Sequence, residues 1–166
     1  MSAPQFVLAT SDDAHEIAAL SRGLIEVGLR GWAWNPERVA KAIRTRDTDV
    51  LVARVDAHLV GFAIMEFGDT NAHISLLAVH PTYQRQGVGR GMIEWLEEAA
   101  LAAGIETIEL ELRVNNYGAR GFYHALGFRE TLWIRGYYRG LESAVKMSRI
   151  IRRTVPTALQ DIPPLL

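Results

Sequence analysis

The spacing of apolar positions changes several times along this chain, and each change marks an element. Residues 5–10 are short, apolar and β-prone, which predicts a first strand. Ser11, Asp12 and Asp13 then offer a helix cap, and Ile17, Leu20, Leu24 and Ile25 recur at helical spacing. Gly28, Gly31, Trp32 and Trp34 interrupt that pattern. Asn35-Pro36 opens a second helix, with proline in its first turn, expected to end near Arg44. Residues 49–55 and 59–67 read as a hairpin around Asp56-Ala57-His58, without the favoured Asn-Gly turn. Residues 72–79 form a third apolar strand, closed by His80-Pro81.

From Gly87 to Ala103 the period returns to that of a helix. Val88, Met92, Leu96, Ala99, Ala100 and Ala103 share one face, and Gly104 is a natural stop. Residues 107–113 alternate, with Ile108, Leu110 and Leu112 on one side and Glu109, Glu111 and Arg113 on the other. A helix over 116–126, ended by Gly127, and strands over 128–134 and 143–150, joined through residues 135–140, complete the pattern. The order is strand, two helices, three strands, helix, strand, helix, two strands. It predicts a mixed α/β domain over residues 1–150, with hairpins and a crossover. Beyond Arg152, Pro156, Pro163 and Pro164 break any regular element, so residues 151–166 read as a C-terminal tail lying over the surface or over a neighbouring subunit. A homodimer is therefore among the expected assemblies.

Composition removes several classes of function. There is no cysteine, so disulfides, thiolate metal sites and a cysteine nucleophile are excluded. No metal site is expected either, since the five histidines are scattered and His73 and His80 lack partners at ligand spacing; both read as structural or surface residues. A net charge of -1 argues against broad nucleic-acid binding, which needs a basic surface. No apolar run is long enough to span a membrane, and the first residues lack the pattern of a secretory signal, so a cytoplasmic protein without membrane or nucleic-acid partners is expected.

The chemistry begins at Gln84-Arg85-Gln86-Gly87-Val88-Gly89-Arg90, between an apolar strand and a long helix. Glycines there let the backbone approach a ligand, and the first N–H groups of a helix are unpaired donors at the positive end of its dipole. Together these suit a phosphate, with Arg85 and Arg90 adding charge. A tight turn with no ligand would use the same residues. A P-loop is excluded because no Gly-Lys-Ser/Thr follows, and the dinucleotide fingerprint fails because Met92 stands where its last glycine would be.

Gln84-x-x-Gly87-x-Gly89 resembles the Q/R-x-x-G-x-G/A motif of the GNAT acetyltransferase superfamily. Further on, Asn116-Tyr117-Gly118-Ala119-Arg120-Gly121-Phe122-Tyr123 and Leu126-Gly127-Phe128 are similar to its second signature. The pattern is nearest to the ribosomal-protein-alanine acetyltransferase branch, which acts on protein N-terminal amines. Glu109 to Arg113, Asn115-Asn116 and Tyr137-Tyr138 carry that likeness.

The resemblance implies a mixed, mostly antiparallel sheet of six or seven strands with four helices. It also implies acetyl-CoA as acyl donor and a primary amine, a protein or peptide N-terminus, as acceptor. Leu77, Ala78 and Val79 would receive the pantetheine arm; Arg85, Gln86, Gly87, Val88, Gly89 and Arg90 the pyrophosphate; Asn116 would contact the cofactor, a role compatible with capping a helix. Glu111 matches the base and Tyr123 the acid. From the residues alone, Glu111 is equally a solvated strand face and Tyr123 a packing residue, although Phe122 and Leu126 already supply an apolar stripe. Trp32, Tyr137 and Tyr138 are the candidate acceptor-binding residues. The Trp32/Trp34 pair departs from the Phe-Pro-Trp-Ser pattern of the nearest branch, which leaves a small-molecule amine acceptor, or a non-catalytic CoA-binding module, as alternatives.

Overall fold

A computed structural model describes residues 2–29, 31–138, 140 and 142–152; the expected tail, from residue 153 on, lies outside the described residues. Seven strands form one sheet: β1 (Gln5–Leu8), β2 (Thr48–Val55), β3 (His58–Phe67), β4 (Asn71–Val79), β5 (Thr107–Arg113), β6 (Arg129–Tyr138) and β7 (Glu142–Ile150). Their order is β1-β2-β3-β4-β5-β7-β6. Only β4 and β5 run parallel, across the crossover made by the long third helix; every other neighbouring pair is antiparallel.

Four α-helices cover the sheet among the described residues: α1 (Ala14–Leu24), α2 (Pro36–Arg44), α3 (Val88–Ala102) and α4 (Tyr117–Ala125). Helices α1 and α2 close one face over Ile17, Val39, Val50, Val52, Phe62 and Ile64. Helices α3 and α4 close the other over Leu51, Met65, Met92, Leu96, Ile108 and Phe128. The two interiors explain why β2 and β3 are buried along nearly their whole length rather than alternating. Phe62 is fully buried in the first interior. Phe62→Ala is expected to cost about 3–5 kcal/mol, read as a lower urea midpoint with an unchanged slope.

Local chemistry accounts for the boundaries. Asn35 accepts from the Arg38 N–H at 3.0 Å to cap α2. The β2–β3 turn does without Asn-Gly because Asp56 and Ala57 themselves adopt positive φ, 48° and 68°, as a two-residue hairpin of this twist requires. Two boundaries differ from expectation by more than one residue. The first strand stops at Leu8, and β6 continues to Tyr138, so Tyr137 and Tyr138 lie on a strand rather than in a loop. A register shift between Ile134 and Tyr138, with Gly136 at φ 67°, lets the strand continue past the glycine.

Candidate active site

The site is made by a gap in the sheet. Strand β4 runs to Val79 and β5 to Arg113, yet their pairing covers only Asn71↔Thr107 to Ile74↔Leu110. Beyond those residues the strands part, which leaves the β4 backbone from Ser75 to Val79 without a strand on that side among the described residues. The parting coincides with a bulge. Ile64 pairs with Leu76 and Met65 with Ile74, so Ser75 is the extra residue. The bulge also exchanges the faces of β4: Ala72 and Ile74 pack beneath α3 and α4, whereas Leu76 and Ala78 pack beneath α1 and α2. Leu77 and Val79 turn instead toward the α3 side.

At the far end of β4 the chain enters α3 through residues 84–87. Gln84 Nε2 donates to the Val79 carbonyl at 3.0 Å and Gln86 Nε2 to Thr82 at 3.2 Å, which fixes the loop on its strand. Arg85 and Gly87 both adopt positive φ, 60° and 84°, and this alternation turns successive N–H groups to one side. Gly87 caps α3 in the left-handed conformation. Gly89 has a different reason: a Cβ there would lie 3.0 Å from Phe122 Cζ, so the glycine lets α3 and α4 meet. Arg85, Gln86 and Arg90 are exposed, and Val88 is buried. The rim of the gap thus carries free helix N-terminal donors and two guanidinium groups, a set suited to a polyanion.

Helix α4 lines the gap on the same side. Asn116 caps it by accepting from the Ala119 N–H at 3.2 Å. Cβ atoms at Gly118 and Gly121 would meet nothing within 4 Å among the described residues, so these glycines border open space there. Tyr123, not Phe122 or Leu126, is the buried centre of the apolar stripe. Its ring packs edge-on against Phe122 and Phe128, with centroids 5.0 and 5.4 Å away. Among the described residues its hydroxyl has no hydrogen-bond partner. Yet it is not one of the fully enclosed unpartnered atoms, which are Trp32 Nε1 and Glu142 Oε2, so the phenol oxygen keeps an opening. Burial pushes its pKa far above the usual tyrosine value, and the group stays protonated across the neutral range.

Glu111 lies on the opposite face of β5. It is paired with His73 Nε2, and Tyr137 lies close enough to feel its charge. His73 Nδ1 is 3.3 Å from Ser75 Oγ, which donates to Glu66 at 3.2 Å. That last bond leaves the serine oxygen to accept Nδ1–H, so Nε2 is the histidine atom that exchanges a proton with Glu111. The bond to Glu111 raises the His73 pKa, and burial opposes it without reversing the direction. Glu109 is occupied elsewhere, 3.0 Å from Lys146 and bonded to Asn71. Burial, and then the negative Glu111 nearby, raise the pKa of Tyr137; Tyr138 is raised in the same direction, chiefly by burial.

His73 is the residue that sequence reasoning passed over. It stands opposite Glu109 in the parallel register, one pair before the strands part. Its polar partner two residues past that point becomes visible only once β4 is placed beside β5. Trp34 is a core residue, 9% exposed, beneath the α1–α2 face. Trp32 stacks against Arg22 and lines a depression with Glu26, Val27 and Leu29. Among the described residues, its neighbours there do not include Glu111.

The model of the family described as "Acetyltransferase (GNAT) family" matches residues 15–128. The chain is 38% identical over 93 residues to the [ribosomal protein bS18]-alanine N-acetyltransferase of Escherichia coli K12, covering 54% of this chain and 63% of that relative. It is 32% identical over 111 residues to an N-alpha-acetyltransferase of Saccharolobus solfataricus, covering 59% and 66%. The match thus spans less than two thirds of each curated relative. Among solved structures, the Escherichia coli ribosomal-protein-S18-alanine N-acetyltransferase superposes with a TM-score of 0.77 at 25% identity, over 93% of this chain and 97% of that one. Ard1 from Thermoplasma volcanium superposes with a TM-score of 0.80 at 22% identity, over 92% and 100%, a likeness of fold.

Proposed function

Because the chain belongs to the GNAT acetyltransferase family, we propose that it moves an acetyl group from acetyl-CoA to a primary amine, the N-terminal amine of a protein or peptide. The observation that carries the reading is the gap between β4 and β5, with anion donors at one end and the Glu111–His73 pair on one face. When bound, acetyl-CoA supplies an activated thioester. The loop of Arg85, Gln86, Gly87, Val88, Gly89 and Arg90 holds its pyrophosphate, and the free edge of Leu77, Ala78 and Val79, with Asn116, receives the pantetheine arm. The acceptor amine enters from the other face, between Tyr137, Tyr138 and the loop that carries Trp32. That peptide N-termini are the acceptors is supported by the names of the relatives.

The acceptor must lose a proton before its nitrogen attacks. Glu111 takes it, directly or through a water, and His73 passes it toward solvent. The new N–C bond forms as the C–S bond breaks. Backbone N–H groups near Ala78 and Val79 stabilise the oxygen that gains charge, and Tyr123 gives its proton to the departing sulfur. His73 receives that proton only while neutral, so kcat rises as pH climbs through its pKa, which lies above the ordinary 6.5. In His73→Gln the inflection is expected to vanish and kcat at neutral pH to fall about tenfold, less than loss of the base itself. An unchanged log kcat–pH profile contradicts this role.

The acceptor class is tested by thiol release against free-amine peptides, N-terminally blocked lysine peptides, polyamines, amino acids and aminoglycosides. The highest kcat/KM is expected for peptides with a free α-amine. A preference for any of the small amines would assign the site to them instead.

A further inference from the structure

Arg113 does not touch the gap's reactive groups, yet it reaches both walls of the acceptor side. It follows Glu111 by two positions on β5 and so shares its face. Its Nη2 donates to the Ile25 carbonyl at 2.8 Å, at the C-terminal cap of α1. There a cation is favoured by the helix dipole and by the unpaired carbonyls of the last turn. Its Nε lies 3.4 Å from Glu142 Oε2, close enough for charge attraction though outside hydrogen-bond geometry, and its guanidinium stands 5.7 Å from the Tyr138 ring centre. Tyr138 and Glu142 are the last paired residues of the β6–β7 hairpin.

The Ile25 contact continues into the next residue. Glu26 is buried, and its carboxylate accepts from the Ala33 N–H at 2.7 Å, from the Trp34 N–H at 3.3 Å and from the Ser21 hydroxyl at 3.1 Å. The segment carrying Trp32 is therefore gathered onto the end of α1, and the end of α1 is tied to Arg113. On the other side, Arg113 meets the hairpin whose Tyr137 approaches Glu111. One side chain, only 20% exposed, joins the strand of the base to both segments that face the acceptor.

We propose that Arg113 is a positioning residue that sets the width of the acceptor cleft by tying the α1–α2 segment and the β6–β7 hairpin to β5. The proposal rests on the acceptor side assigned above. A guanidinium fork serves several partners at once, whereas a lysine ammonium serves as a point charge and cannot bridge both walls.

The test compares Arg113→Met and Arg113→Lys with the wild type by amide hydrogen exchange and by steady-state kinetics on a free-amine peptide. In Arg113→Met, exchange at Ala33, Trp34, Tyr138 and Glu142 is expected to quicken together. The peptide KM rises about tenfold or more, since a cleft whose walls are no longer held at one width loses binding contacts to the peptide, while the acetyl-CoA KM stays within about twofold of wild type. Arg113→Lys recovers part of the peptide KM. Equal rises in both KM values overturn the proposal, as does wild-type exchange in either wall of Arg113→Met. If Arg113→Met does not fold, the same KM split in Arg113→Lys decides. A wild type with no turnover would defeat the acetyltransferase reading, and the exchange result would still judge the tie.

Discussion

Glu111→Gln is expected to lower kcat at neutral pH by about 10²–10⁴-fold, the range typical of a lost proton-transfer group. Glutamine has the same shape and can still hydrogen-bond His73, so the pair on β4 and β5 stays in place. What goes is the ability to take a proton. A peptide α-amine has a pKa of about 8, so at neutral pH most of it arrives protonated and needs the base. The deficit should shrink as pH rises past that value, because the amine then arrives neutral. Acetyl-CoA affinity should not change, since Glu111 faces away from the α3–α4 side of the sheet. Stopped-flow thiol release across pH measures this, and a deficit equal at every pH would point to a structural role for Glu111.

Tyr123→Phe is expected to lower kcat by about 10²-fold or more and leave acetyl-CoA affinity unchanged. The ring keeps its packing against Phe122 and Phe128. Its hydroxyl has no protein partner among the described residues, so removing it leaves no buried group unsatisfied and costs little stability. The leaving sulfur, by contrast, loses its proton donor. Equal losses in kcat and in affinity, or a clear fall in Tm, would make Tyr123 a packing residue.

Most of the fold was legible because local patterns and tertiary packing agree. The alternation over Thr107–Arg113 put Ile108 and Leu110 on one face and Glu111 on the other, as the structure has them, although Glu111 is mostly covered there rather than solvated. Gly104, the expected stop of the third helix, has φ 80°. Helix α4 was less clear. Ala119, Phe122, Tyr123 and Leu126 all fall on one short face, and only the sheet beneath decides that Tyr123 is at its centre. The bulge at Ser75 left no mark in the sequence, because it is a property of β3 and β4 together. The pairing of His73 with Glu111 was hidden for a related reason: the register of two parallel strands is set by α3 packing across them, not by either strand alone. Arg113 read as one more charge on a solvated face, because its partners come from elements distant in sequence.

Transfer of an acetyl group to a peptide's free N-terminal amine can be read in one reaction followed by mass spectrometry and thiol titration. Wild-type protein, acetyl-CoA and a free-amine peptide should yield free thiol and Nα-acetylated peptide in equal amounts, with neither formed when the peptide N-terminus is blocked. Absence of thiol release with every amine, despite saturable acetyl-CoA binding, would contradict the claim and leave a module that binds the thioester without using it.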